Sequence, residues 1–232
     1  MKKTIISCVL FLTAVTAFSQ TPMKTAAEAK LSASDLAVKI ADRILATTTY
    51  EFKNTKTGKT YKSVKNLPLD MNVKVACKYN NWHYTNGVTH IALMELADKT
   101  GAKKYDDYVF KNMNFVFNEG NLDFFKKQYD QAMKDEGWYG VRKLSWHMIF
   151  RGKRLDDNGP MGASLIDLQM KHPNNSFLNY INETAEHLNY GEPRLADGTI
   201  ARIWPHENTI WADDAFMAIS FLARMAKMTG DM

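Results

Sequence analysis

Residues 209–228 read TIWADDAFMAISFLARMAKM, and this stretch constrains the fold more than any other. From Ile210 to Met228, 14 of 19 residues are apolar. At 3.6 residues per turn they cover every side of a helix, the pattern of one buried all round. Yet two adjacent carboxylates, Asp213 and Asp214, sit near its start. A buried carboxylate without a partner costs several kcal/mol or is driven to its neutral form, so this pair needs a counter-charge or a chemical task. Capping does not account for them on spacing. Thr209 is the natural N-cap, and the acid of a capping box would then fall at Ala212. Asp213 shares a helical stripe with Met217, Ser220 and Arg224, whereas Asp214 shares one with Ala218, Phe221 and Met225.

The same kind of helix occurs twice more, each time followed by a one-sided partner. NGVTHIALMELADKTG places Val88, Ile91, Ala92, Met94, Leu96 and Ala97 around its axis. AKKYDDYVFKNMNFVFNEG then keeps Tyr105, Tyr108, Val109, Met113, Val116 and Phe117 to one side and ends at Gly120. GPMGASLIDLQM (159–170) is again apolar on most sides, and SFLNYINETAEHLNYG (176–191) again is one-sided. Repetition of a helical hairpin at a period of roughly 55–70 residues predicts an inner layer of apolar helices wrapped by an outer amphipathic layer, an all-α two-layer toroid. A further helix is expected from Ser32 or Ser34, with Ala33, Ala37, Ile40 and Ile44 on one face. TYEFKNTKTGKTYKSVKNLPLDMN (49–72) reads as a loop. The chain stops at Met232, in the turn after the third inner helix, which leaves that helix without an outer partner and predicts a partial toroid with exposed, association-prone apolar flanks.

The amino terminus, MKKTIISCVLFLTAVTAFSQ, has two lysines, an apolar run and a small-residue cleavage site, which predicts a signal peptide over residues 1–19 and an exported domain over 20–232. Cys77 is then the sole cysteine left, so the domain relies on its core rather than on a disulfide. No later stretch is long and apolar enough for a membrane span. The net charge of +5 is spread along the chain, and nucleic acid is not indicated.

A second acidic cluster, Arg154-Leu155-Asp156-Asp157-Asn158-Gly159-Pro160, precedes the second inner helix. Pro160 suits a first helical turn, with Asn158 or Gly159 as cap, which would set Asp157 at the helix mouth. Asp157 and Asp213 would then lie at the same end of the inner layer. Two carboxyls at one cavity mouth suit acid/base work on sugars, although acids at helix starts are also common for stability alone. The loop ahead of each inner helix carries a Trp and a His: Trp82 and His83, Trp146 and His147, Trp204 and His206. Such rings serve as sugar platforms or as plain loop anchors. No close His pair supports a zinc site, and no cofactor-binding motif is present.

RLDDNGPMGASLIDL, DGTIARIWPHENTIWADDAFMAISFLARMAKMTGD and NWHYTNGVTHIALMELADKTGAKKYDDYV together resemble the unsaturated glucuronyl and rhamnogalacturonyl hydrolases, glycoside hydrolase families 88 and 105. The Asp-Asp-x-Gly and Trp-x-Asp-Asp motifs carry the resemblance, in this order and 56 residues apart from Asp157 to Asp213. It implies an (α/α)6 six-hairpin toroid, about half of it present, as an amino-terminal portion. It also implies an enzyme that removes a 4,5-unsaturated uronic acid from the non-reducing end of lyase-generated oligosaccharides of the pectin or rhamnogalacturonan type. A carboxyl protonates C4 of the enol ether, water adds at C5, and the hemiketal opens. Carried onto this chain, the catalytic residues are Asp213 as general acid/base and Asp157 as its assistant. Arg202 and His206 would face the uronate carboxylate, and Trp82, Tyr84, Asn86 and Trp211 the sugar ring. No metal and no cofactor are implied. The alternatives are a non-catalytic, sugar-binding remnant and a different toroid enzyme.

Overall fold

The computed structural model describes residues 32–231 except 119, 152 and 153. The signal peptide expected over 1–19 lies outside them. The described residues divide into two units, 32–40 and 41–231. In the first, the described residues open helix α1 (Ala33–Thr47). Ser32 caps it: the Asp35 N–H donates to the Ser32 hydroxyl at 3.1 Å, and the Asp35 carboxylate accepts the Ser32 N–H at 3.2 Å.

In the second unit α1 ends and a small sheet follows where the sequence reads as loop. Strands β1 (Phe52–Asn54), β2 (Thr60–Tyr61) and β3 (Val73–Val75) pair antiparallel in the order β2-β1-β3. Strands of two or three residues are too short for an alternating pattern to register. The remainder is helical: α2 (Tyr84–Thr100), α3 (Lys104–Phe117), α4 (Asn121–Glu136), α5 (Trp138–Val141), a 3₁₀ turn (His147–Phe150), α6 (Leu155–Lys171), α7 (Asn175–Glu186) with a π turn (His187–Gly191), and α8 (Ala212–Thr229). The protein is all-α, with one small sheet whose Phe52, Val73 and Val75 join the helical core.

Helix α6 packs between α2 and α8, and the hairpins α2–α3 and α6–α7 fold back as inner and outer helices. Two glycines permit the close inner packing. A Cβ on Gly159 would stand 2.2 Å from the Met217 carbonyl oxygen, and one on Gly87 would stand 2.4 Å from the Met161 nitrogen. The backbones of α6 and α8, and of α2 and α6, therefore touch where a side chain would otherwise be. Helix α4, with Phe124, Phe125, Gln128 and Ala132 buried along one side, adds a layer beyond the helices expected.

Among the described residues, burial on all sides holds for α6 alone. Twelve of its residues, from Leu155 to Leu168, are buried because it has neighbours on both flanks. The same expectation for α2 and α8 is corrected. Helix α8 buries Asp214, Met217, Ala218 and Phe221 on one face, while Phe216 and Ile219 are 48% and 61% exposed. Helix α2 buries Asn86, Gly87, His90, Leu93, Met94 and Ala97, while Val88 is 40% exposed. Each meets the inner layer along one flank among the described residues. Helix α6 also starts earlier than expected, with Arg154 as N-cap, so Pro160 lies inside it. Lacking an N–H, Pro160 gives no hydrogen bond to the Asp156 carbonyl four residues back. Among the described residues, no helix is long and apolar enough to cross a membrane.

Candidate active site

The starts of α6 and α8 are brought together by the contact at Gly159 and Met217. This places Asp156 beside Asp213 and Asp214, with one carboxylate oxygen from each within 4.8 Å of the others. Next to them a cleft of about 170 Å³ is lined by Arg154, Leu155, Asp156, Glu192, Arg202, Ile203, Trp204, Trp211 and Asp214.

Residue by residue, these acids differ in what holds them. Asp214 is buried at the third position of α8. It accepts the Trp211 backbone N–H at 2.9 Å and the Arg202 Nε at 2.9 and 3.2 Å, and Arg202 Nη2 also donates to it. It is thus the capping acid of its own helix, with Trp211 and not Thr209 at the N-cap, which corrects the spacing expected from the sequence. Thr209 instead donates from its hydroxyl to the His206 carbonyl at 2.8 Å. Asp157, 1% exposed, receives both Nε and Nη2 of Arg151. Asp213 is exposed and has no ion pair among the described residues. Asp156 is half-buried, 3.9 Å from Arg202 Nη2. Burial holds its carboxyl above the usual carboxylate range, against the pull of Arg202 and with the help of the neighbouring charge on Asp213.

Arg202 reaches Asp214 because residues 194–209 double back on themselves. Isolated antiparallel pairings join Arg194 to Ile200 and Arg202 to Thr209, and the Arg202 N–H donates to the Thr209 carbonyl at 2.9 Å. The Trp204–Pro205 bond in this loop is cis. The guanidinium also lies 3.9 Å from the centroid of the Trp211 ring, so its Nε–Nη2 edge and one of its faces are occupied. Glu192, which no sequence motif marks, also lines the cleft. Burial raises its carboxyl above the ordinary range, against His187 Nε2 at 3.0 Å.

The remaining residues expected at the site divide by exposure. Trp82 is fully buried: its Nε1 donates to the Asp157 carbonyl at 2.7 Å, and its ring packs 4.8 Å from Tyr180. Asn86 is spent on the loop before α2, donating to the carbonyls of Lys78 and Asn81, both at 2.9 Å. Neither is open to a sugar, because both secure the DDNG turn and the mouth of α2. Trp146, equally buried, is an anchor as well. Trp204 and Trp211, 61% and 43% exposed, are the open rings at the cleft. Tyr84 and His206 are exposed but do not line it. The trio Asp156, Asp213 and Asp214 is a donor set that a hard cation accepts, but Arg202 already lends positive charge to two of the three.

Compared with known proteins, residues 54–232, more than three quarters of the chain, match the model of Glycosyl Hydrolase Family 88. The chain belongs to that family. No curated protein matches it. Family 88 membership makes it a glycoside hydrolase by descent, in a group that acts on unsaturated uronic acid oligosaccharides. The helical layers agree with the toroid of Family 88, and both of the acidic motifs lie inside the matched range.

Proposed function

We propose that this protein removes an unsaturated uronic acid from the non-reducing end of lyase-generated oligosaccharides of the pectin or rhamnogalacturonan type, and that Asp213 and Asp156 carry the proton transfers. One observation supports this pairing. Of the four aspartates at the starts of α6 and α8, Asp157 and Asp214 are each held by an arginine donating through two nitrogens, whereas Asp156 and Asp213 are not. A carboxyl locked to a guanidinium is a poor proton donor. Asp156 is a better one, because burial holds its carboxyl above the usual carboxylate range and the charge on Asp213 adds to this.

The reaction then needs only what this pair and water supply. A carboxyl O–H gives its proton to C4 of the double bond, the oxygen of water bonds to C5, and the water proton returns to a carboxylate. The resulting hemiketal opens and frees the next sugar. Asp213 is the general acid/base and Asp156 is the second carboxyl beside it. Asp157 is a positioning residue, fixing Arg151 and, through its carbonyl, Trp82. Trp204 and Trp211 offer faces for the sugar ring.

The test is turnover of an unsaturated disaccharide, followed by loss of the ultraviolet absorbance of its double bond. Asp213→Asn and Asp156→Asn should each lower kcat by about 10²-fold or more, the usual worth of a positioned acid or base. Both variants turning over at the wild-type rate would refute the assignment.

A further inference from the structure

A cleft that takes in a sugar acid must offer a cation to its carboxylate. This one is lined by three carboxylates against two guanidiniums. Arg202 has its Nε–Nη2 edge committed to Asp214 and one face against the Trp211 ring at 3.9 Å, so the edge that pairs best with a carboxylate is already taken. The other guanidinium is that of Arg154. It is exposed on the cleft wall and makes no ion pair among the described residues. Its carbon lies 5.1 Å from the centroid of the Trp204 ring. Its backbone, extended at φ −141° and ψ 142°, is the N-cap of α6, two residues before Asp156. A guanidinium stacked on an aromatic face keeps its planar fork of donors free at the edge, the geometry that meets a carboxylate with two parallel hydrogen bonds.

We propose that Arg154, backed by Trp204, is the specificity residue that recognises the carboxylate of the unsaturated uronate, the role expected of Arg202 from the sequence. This rests on the reading above and names the residue that selects its substrate. Arg202 becomes a positioning residue that holds Asp214 and the start of α8.

The experiment compares two probes, the unsaturated disaccharide as free acid and as its methyl ester, on the full chain with Arg154→Gln and Arg154→Lys. The wild type should prefer the acid. In Arg154→Gln, kcat/KM for the acid should fall by about 10–100-fold, mostly through KM, the worth of a charge-assisted hydrogen bond. The ester should change by less than about two-fold. Arg154→Lys, which keeps the charge without the fork, should recover part of the preference. Equal losses for acid and ester, or an acid preference kept in Arg154→Gln, would overturn the proposal. Failure of the hydrolase reading shows separately, as no turnover of either probe by the wild type. Arg154 is then judged by equilibrium binding of the same probes, where equal affinity of the wild type for acid and ester overturns it.

Discussion

Replacing Gly159 by alanine tests whether the inner helices meet backbone to backbone. In an exposed helix this change stabilises by about 1 kcal/mol, because glycine is the poorer helix former. Here the new Cβ would lie 2.2 Å from the Met217 carbonyl oxygen, 2.7 Å from its carbon and 3.0 Å from its Cα. Ordinary carbon contacts need about 3.5–4.0 Å, so α8 must withdraw by about 1 Å along its seam with α6. Overpacking of this kind costs about 1–3 kcal/mol, and the upper end applies because the opposing atoms are backbone and cannot change rotamer. A net loss of about 2 kcal/mol follows, or about 4–8 °C in Tm for a domain of this size. Gly162→Ala provides the comparison. Its Cβ would lie 2.8 Å from ring atoms of Phe221, a side chain that can turn aside, so the loss should be smaller. Thermal unfolding followed by circular dichroism measures both. Gly159→Ala matching or exceeding the wild type in stability would refute the close approach, and with it the mechanism that brings Asp156 and Asp213 together.

Further outcomes follow from other buried groups. His90 is 1% exposed with neither ring nitrogen hydrogen-bonded among the described residues, and burial lowers its pKa to about 4. The folded state therefore holds it neutral, and the unfolded chain takes up the proton first. Its contribution is complete above about pH 6.5 and is lost as pH falls towards 4, a decline of about 3 kcal/mol. Unfolding by urea across that window measures it, and His90→Met should flatten the decline. Arg202→Met would leave Asp214, 3% exposed, without its counter-charge and should cost about 3–5 kcal/mol in a urea titration at neutral pH. Trp82→Phe deletes the bond to the Asp157 carbonyl and should cost about 1–3 kcal/mol, with a lower Tm as the readout.

The layered fold was legible because long periodic helices carry their own pattern: the α2–α3 and α6–α7 hairpins and α8 are all in the hydrophobic spacing. The sheet at residues 52–75 was not, since its strands are shorter than one period of evidence. Burial around α2 and α8 was overstated because composition tells how apolar a helix is but not how many neighbours it has. At the site, the acidic motifs Asp156-Asp157 and Asp213-Asp214 stand out in the sequence. Which member of each pair is tied to an arginine depends on Arg151 and Arg202, whose reach is set by a short turn and a doubled-back loop that have no periodicity. Trp82 and Trp204 look alike in sequence, each beside or near a histidine ahead of an inner helix. Packing against Tyr180 and Trp146 makes the first an anchor, while the second stays open. Glu192 carries no signal, because it belongs to no motif and its place beside Asp214 and Arg202 is set by the tertiary fold.

The most direct measurement is turnover of an unsaturated uronate disaccharide by the wild type and by Asp213→Asn, with the fold of each checked by circular dichroism. Loss of double-bond absorbance with the wild type, abolished in Asp213→Asn while that variant keeps its fold, is the result expected. Undiminished turnover in Asp213→Asn, or a folded wild type that leaves the double bond untouched, would contradict it.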